Sequence, residues 1–363
     1  MIEMKKRFTA RALCPPDEEA GGRKPAPTAA GRRARRLLIG ILLLLILLWS
    51  GWSIHSILEN QWMQRSAELW RGSASQRYCQ VSTFWNSGEL DAEQAGRIVL
   101  ELEQRLQEET DPVPIAAVYG GMQAGQAAYG RRTAEAEIWY VTEDFFRLHS
   151  FALTEGGTGT FQAGSQTAVL NEQAAWRLFG SAHGCGESIV IRGQGYRVTA
   201  VLQEPKDSVN RAAYGSAARI YLPMTESAPV TFLEAVLPEY YSGYAAAALS
   251  SAAGTSVKTN TGRFRLSLLW KQAKAFFSSP PESQPQLPPW ELAAKLAGRR
   301  LCVLWSILFV DAGVCLLLTG KTAYRLAIRY CASRKAAEKK RPRRLGRRRG
   351  ADTYALLALD QNS

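Results

Sequence analysis

The sequence predicts an α+β extracytoplasmic domain held between two transmembrane α-helices. Three observations lead there. Two apolar runs have membrane length: LLIGILLLLILLWSGWSI at 37–54 carries no charge, and LCVLWSILFVDAGVCLLLTG at 301–320 carries only Asp311. As helices rising about 1.5 Å per residue, runs of this length cross a hydrocarbon core about 30 Å thick. Between them, short period-2 and period-3.6 patterns follow one another, which is the signature of mixed strands and helices. The charge is also divided. Residues 1–36 hold 10 Lys/Arg against 4 Asp/Glu and residues 321–363 hold 13 against 3, while 37–298 hold 20 against 24. Flanks rich in Lys and Arg stay cytoplasmic, so both termini are expected inside and the middle outside.

Taken in order, residues 1–36 mix Pro, Gly, Ala and Arg without periodicity and read as a disordered basic cytoplasmic arm. The span at 37–54 is followed by no small-residue cleavage site and reads as an uncleaved anchor. Ile54, Leu58, Trp62 and Leu69 keep one helical face, which predicts a stalk helix over 55–77. The core domain is expected over 78–260. It opens with the strand-like YCQVSTFW. Asp91 and Gln94 then form a capping box before a helix that buries Ala95, Ile98, Val99, Leu102 and Leu106. Strands follow at 115–122 and 134–141, and Thr142 is expected to cap the short helix TEDFFRLH.

After the turn EGGTGTFQAG, the strand TAVL meets Asn171. Its side chain should cap a helix with Ala174, Ala175, Leu178 and Phe179 on the buried face, ended by Gly180. SIVI and YRVTAVL flank Gly193 and Gly195 and read as a hairpin. The strands ARIYLP and TFLEAVL, a helical stretch at 239–252 and SVKT complete the domain. In 261–300, Leu266, Leu269, Trp270, Ala273 and Phe277 make an amphipathic helix suited to packing on the stalk or lying on the membrane. SSPPESQPQLPP at 278–289 has five prolines in twelve residues and is expected to be an extended linker. The second span at 301–320 leads to a basic cytoplasmic tail at 321–363.

No catalytic constellation stands out. CLLLTGKT (315–322) has Cys315 where a P-loop needs glycine, inside an apolar run. His55, His149 and His183 lack metal-ligand spacing. Glu101, Glu103, Glu108 and Glu109 read as one solvated helix face. The chain is therefore read as no enzyme, with no cofactor and no metal. The basic runs RRARR (32–36) and KKRPRRLGRRR (339–349) are accounted for by topology and anionic inner-leaflet lipids, so no nucleic-acid partner is expected. Of six cysteines, Cys79 and Cys185 alone are expected outside, and whether they pair is open.

WYVTEDFFRLHSFALTEGGTGTF, followed by AVLNEQAAWRLFGSAHGCGESIVIRGQGYRVTAVL and IYLP, resembles the extracytoplasmic core domain of MacB/FtsX-type ABC transporter permeases. Phe146, Asn171, Glu172, Ala175, Leu178, Phe179, Gly180, Gly186, Ile189, Tyr196, Val198, Val201, Tyr221 and Pro223 fall on that pattern. The match is closest over 137–223 and looser over 54–277. The resemblance implies a MacB-like periplasmic core in a bacterial cytoplasmic membrane. It implies a divergent permease-like subunit without the family's last two membrane helices, partnered by a separate ABC ATPase subunit and a further permease chain.

An ionisable group in mid-membrane costs roughly 2.5–3.5 kcal/mol on insertion scales, so Asp311 is expected to face a partner helix. Arg325 and Arg329, one turn apart at the inner surface, are candidates to dock an ATPase or to bind lipid headgroups. The alternative reading is a membrane-anchored extracellular adaptor that reuses the fold without an ABC ATPase.

Overall fold

Helix α1 (Ala29–Glu59) carries the first apolar run and stops where Asn60 Nδ2 folds back to donate to the Ser56 carbonyl at 2.8 Å. The computed structural model describes residues 29–71, 75–107, 115–277 and 287–340. The arm before residue 29, Glu108, Glu109, most of the Pro-rich stretch and the tail beyond residue 340 lie outside the described residues. The continuous stalk helix expected over 55–77 does not form. The chain turns at 60–61, makes a 3-10 turn at Trp62–Arg65 and resumes as α2 (Ser66–Arg71). Burial is the reason: Met63, Gln64, Ser66 and Ala67 pack into the domain, and Ser66 Oγ donates to the Leu148 carbonyl at 2.8 Å. A straight helix would carry them past it.

Strand β1 (Tyr78–Phe84) is followed by α3 (Ala92–Gln107), whose start is the expected capping box. Gln94 N–H donates to Asp91 Oδ1 at 2.7 Å and Asp91 N–H donates to Gln94 Oε1 at 3.1 Å. Strands β2 (Ala116–Tyr129) and β3 (Arg132–Val141) form one long hairpin, extending well past the shorter apolar patterns because small alanines continue the ladder. The short α4 (Phe145–Leu148) begins after Asp144, not Thr142. Thr142 is engaged elsewhere: its Oγ1 accepts from Tyr119 N–H at 3.3 Å.

β4 (Leu153–Gly156), β5 (Thr167–Asn171) and α5 (Glu172–Phe179) come next. Asn171 caps α5 by accepting from Ala174 N–H at 3.0 Å, and Gly180 ends it with φ 74°. Ala174, Ala175 and Leu178 are fully buried, but Phe179 is only half-buried, its ring edge-on to Tyr129 at 4.7 Å. The hairpin of β6 (Ser188–Ile191) and β7 (Gln194–Leu202) turns through Arg192 and Gly193, both with positive φ, as a tight type I′ connection requires.

α6 (Ser208–Tyr214), β8 (Arg219–Pro223) and β9 (Phe232–Pro238) lead to α7 (Tyr244–Ala253), which starts later than the expected residue 239. Glu239 is used before the helix, accepting from Gly243 N–H at 2.6 Å and Ala245 N–H at 3.1 Å. After β10 (Lys258–Thr259) comes α8 (Leu266–Phe277), which buries Leu269 and Phe276 while Trp270 and Phe277 are exposed, a rotation of the expected face. It packs against Ile54, Leu301, Cys302 and Leu304. The last element, α9 (Pro289–Lys340), is a single helix of 52 residues. The stretch expected to remain an extended linker to residue 289 therefore ends as a helix start, with proline at its first position, where the missing N–H costs nothing.

The strands form one sheet in the order β10-β1-β9-β2-β3-β8-β5-β7-β4, with β6 pairing both β7 and the far end of β2. β3–β8 and β5–β7 are parallel and the other pairs antiparallel. Pairing thus closes a ring through β2, β3, β8, β5, β7 and β6. Alternation sorts the side chains. Ile138, Tyr140, Leu170, Ile189, Ile191, Val198 and Ile220 join α5 in one core. Trp139, Val141, Val169, Ala200, Tyr221 and Phe232 build a second, aromatic core with Phe145. That aromatic core does not stop at 78–260: it also takes Met63 and Ala67 from one end of the chain and Trp290 and Ala293 from the other.

Candidate functional site

Strand β9 reads FLEAVLP and is buried along its whole length. Successive side chains point to opposite faces. Leu233, Ala235 and Leu237 enter one cluster, and Phe232 and Val236 enter the aromatic core. Glu234 shares the parity of the second set, so a carboxylate stands among aromatic rings with no exposed surface. A buried charge is tolerated only when it is hydrogen-bonded. Here Trp290 Nε1 donates to Glu234 Oε1 at 2.5 Å and Gln80 Nε2 donates to Oε2 at 3.4 Å. His149 Nε2 lies 3.3 Å from the same oxygen, without hydrogen-bond geometry. Trp290 is also ringed by Trp139, Phe145, Phe232 and His149, with centroids 4.9–5.5 Å away.

A second buried cluster adjoins through the neighbouring residue. Arg263 sits between β10 and α8. Its Nη1 and Nη2 donate to the two oxygens of Glu291 at 2.7 and 2.9 Å. Nη1 also reaches Gln64 Oε1 at 3.0 Å, and Lys258 Nζ lies 3.5 Å from Glu291 Oε1. A guanidinium fork on a carboxylate fixes orientation as well as charge. On the other side, Gln80 Nε2 donates to the Met63 carbonyl at 3.0 Å. The turn after α1, the central sheet and the first turn of α9 are thus joined by one network of buried polar groups. Asn210 on α6 adds a further clasp, donating from Nδ2 to the Asn60 carbonyl at 2.9 Å.

This arrangement is suited to holding elements in register. Each of these bonds joins two segments far apart in the chain, so displacing the first turn of α9 or the turn after α1 must break them. Among the described residues no group of three His, Cys, Asp or Glu is placed to hold a metal ion.

The residues singled out in the sequence lie apart from this junction. Asp311, on α9, is 5% exposed, and neither carboxyl oxygen has a hydrogen-bond partner among the described residues. Ser50 Oγ on α1 is likewise buried without a partner. Arg325 and Arg329 are exposed on the same helix as Asp311. At 1.5 Å per residue, Arg325 is about 21 Å further along, so the three do not form one site. Cys79 and Cys185 are free thiols in different clusters. The junction residues Glu234, Trp290, Arg263 and Glu291 were not singled out. A signal existed for three of them, Glu234, Trp290 and Glu291. A glutamate inside a continuously apolar strand, and Trp-Glu directly after Pro-Pro, both mark polar groups with a buried task.

Both α1 and α9 contain stretches long and apolar enough to cross a membrane. Compared with known families, residues 37–261 match the model of the MacB-like periplasmic core domain. Among solved structures, the chain is similar to the periplasmic region of MacB from Actinobacillus actinomycetemcomitans. That match has 13% identity and a TM-score of 0.39, covering 55% of this chain and 94% of that one. It is also similar to the extracellular domain of the noncanonic ABC-type transporter YknZ from Gram-positive bacteria. There the identity is 14% and the TM-score 0.34, covering 50% of this chain and 99% of that one. No curated protein matches.

Proposed function

The chain belongs to the MacB-like periplasmic core domain family, and on that premise we propose that it is a permease-like membrane subunit of an ABC transporter system. Its outer domain would be moved through α9 by a separate ATPase. The observation that carries this reading is the seating of α9. Its first turn is fixed inside the domain by Trp290 on Glu234 and Glu291 on Arg263. From there the same helix continues unbroken to Lys340. A rigid helix rooted in a buried polar junction transmits displacement along its axis, whereas an extended linker would absorb it.

In this reading the basic flanks keep both termini cytoplasmic and put the domain outside. Asp311 would meet a partner helix that supplies the hydrogen bond its buried carboxyl lacks among the described residues, because a carboxyl at membrane depth prefers a hydrogen-bonding neighbour to hydrocarbon. Arg325 and Arg329 sit where an acidic groove of the ATPase, or anionic headgroups, would meet them. The experiment is purification in mild detergent after in-cell cross-linking. An ABC ATPase or a larger permease chain is expected to be retained. Asp311→Leu should loosen the permease contact, and Arg325→Ala with Arg329→Ala should lower ATPase recovery. Repeated recovery of the chain alone would sink this reading in favour of a membrane-anchored adaptor.

A further inference from the structure

A cleft of about 700 Å³ opens where α1 and α9 leave the core domain. Ligand sites commonly enclose about 300–1,000 Å³. The walls of this one are sorted by position. Trp49 and Trp52 on α1, with Val303 and Ile307 on α9, lie inside the two apolar runs, and all four line the cleft with exposed side chains. Asp207 and Ser208, where α6 begins, and Arg299 and Arg300 on α9 also line it, but lie outside those runs. Along α9 the step from Arg300 to Ile307 is about 10 Å of helix. The cleft is therefore amphipathic along its length, apolar at membrane depth and polar beside the domain.

Lys and Arg beside a span favour its cytoplasmic end. Arg299 and Arg300 instead flank the end next to the core domain. Both are exposed, and neither forms an ion pair among the described residues. Arg300 Nη1 donates to Ser208 Oγ at 2.5 Å, and the Arg299 guanidinium lies over the Phe277 ring, 5.4 Å from its centroid. Asp207 is already used as the cap of α6: Oδ1 accepts from Val209 N–H at 3.0 Å and Asn210 N–H at 2.9 Å, and Oδ2 from Asn210 Nδ2 at 2.7 Å. The polar end thus offers two guanidinium groups to an incoming anion. A guanidinium fork matches phosphate in charge and geometry. Tryptophan, in turn, favours the boundary between headgroups and hydrocarbon. A helix of another chain would match the apolar walls but need bring no anion to the arginines.

We propose that this cleft binds one phospholipid from the leaflet next to the core domain, its phosphate at Arg299 and Arg300 and an acyl chain along Trp49, Trp52, Val303 and Ile307. The site goes beyond the transporter reading and does not depend on which chains partner the protein. Its walls come from α1, α6 and α9. A bound lipid would bridge all three and tie both membrane-length helices to the domain at the membrane surface.

The full chain in non-ionic detergent is titrated with phosphatidylglycerol and phosphatidylethanolamine, with diacylglycerol of the same chains as the control that lacks phosphate. Native mass spectrometry counts the lipids retained. One phospholipid should be held at concentrations about tenfold below those needed for diacylglycerol, or lower. The same phospholipids carrying a photoreactive acyl chain should cross-link to the segments at 49–57 and 303–307 that line the cleft. Arg299→Gln with Arg300→Gln should remove the preference over diacylglycerol. Because Arg300 also holds Ser208, a second variant acts at the apolar end. Val303 is exposed, so Val303→Trp should narrow the cleft from outside, weaken phospholipid retention about tenfold and leave the unfolding temperature unchanged. Equal retention of phospholipid and diacylglycerol, cross-links confined to other parts of the chain, or undiminished retention by a folded Arg299→Gln, Arg300→Gln chain would each overturn the proposal. So would in-cell cross-linking of a photoreactive residue at Val303 to another protein and not to lipid.

Discussion

Arg263 holds Glu291 through both arms of its guanidinium, at 2.7 and 2.9 Å, with both side chains almost wholly buried. The two residues lie 28 positions apart, one just before α8 and the other in the first turn of α9. The pair therefore ties the root of a membrane-length helix to the domain rather than decorating a surface. Removing one partner leaves the other charged and dry, which typically costs about 3–5 kcal/mol. Glu291→Ala and Arg263→Ala should each lower stability by that order in urea unfolding of the detergent-solubilised chain. The double change Arg263→Met with Glu291→Leu should cost clearly less than the sum, because no orphaned charge remains.

The aromatic core predicts a failure of truncation. Met63, Ala67, Trp290 and Ala293 belong to it, although they flank the 78–260 segment. A fragment of residues 78–260 would expose Phe232 and Phe145 and leave Glu234 without the Trp290 donor. It should bind a hydrophobic dye and unfold with reduced cooperativity. A fragment that melts as sharply and at the same temperature as the full chain would refute this.

Phe145 and Phe179 should separate in mutagenesis. Phe145 has no exposed surface and meets Tyr221 and Trp290. Its change to alanine should cost about 3–5 kcal/mol. Phe179 is half-buried and leans on Tyr129, so Phe179→Ala should cost distinctly less. Equal losses in denaturant titrations would show that the α5 face is misassigned.

Thiol reactivity gives a fourth check. Burial, with the Glu239 charge adding to it, pushes the Cys79 thiol up to about 11. The thiolate is the reactive form, so Cys79 should resist alkylation at pH 8 in the folded chain and react on unfolding. Among the cysteines of the described residues, exposed Cys331 should be modified first. Early modification of Cys79 would show that β1 is open to solvent.

Local signals carried most of the fold to the surface of the sequence. The Asp91–Gln94 box, the Asn171 cap, Gly180 and the Gly193 hairpin each depend on residues a few positions apart, and each formed as expected. What was hidden depends on distance along the chain. The bend after Glu59 arises because Ser66 finds a carbonyl at residue 148. The helix start at Pro289 is fixed by Trp290 meeting strand β9, and no local pattern announces such a partner. The buried polar junction combines both limits. Glu234 was visible as an oddity in its strand, but its three polar neighbours, Gln80, His149 and Trp290, come from segments far away along the chain.

The central claim is that α9 is rigidly rooted in the core domain, so that its C-terminal end and the domain move as one body. The direct measurement is a pulsed electron-spin distance between labels at exposed Arg192, in the β6–β7 turn, and exposed Arg329, near the C-terminal end of α9. The chain would carry replacements of its six cysteines outside the labelled sites. A single narrow distance distribution is predicted, broadening when Trp290→Ala and Glu291→Ala remove the root. A broad distribution in the otherwise intact chain, unchanged by those substitutions, would contradict the account.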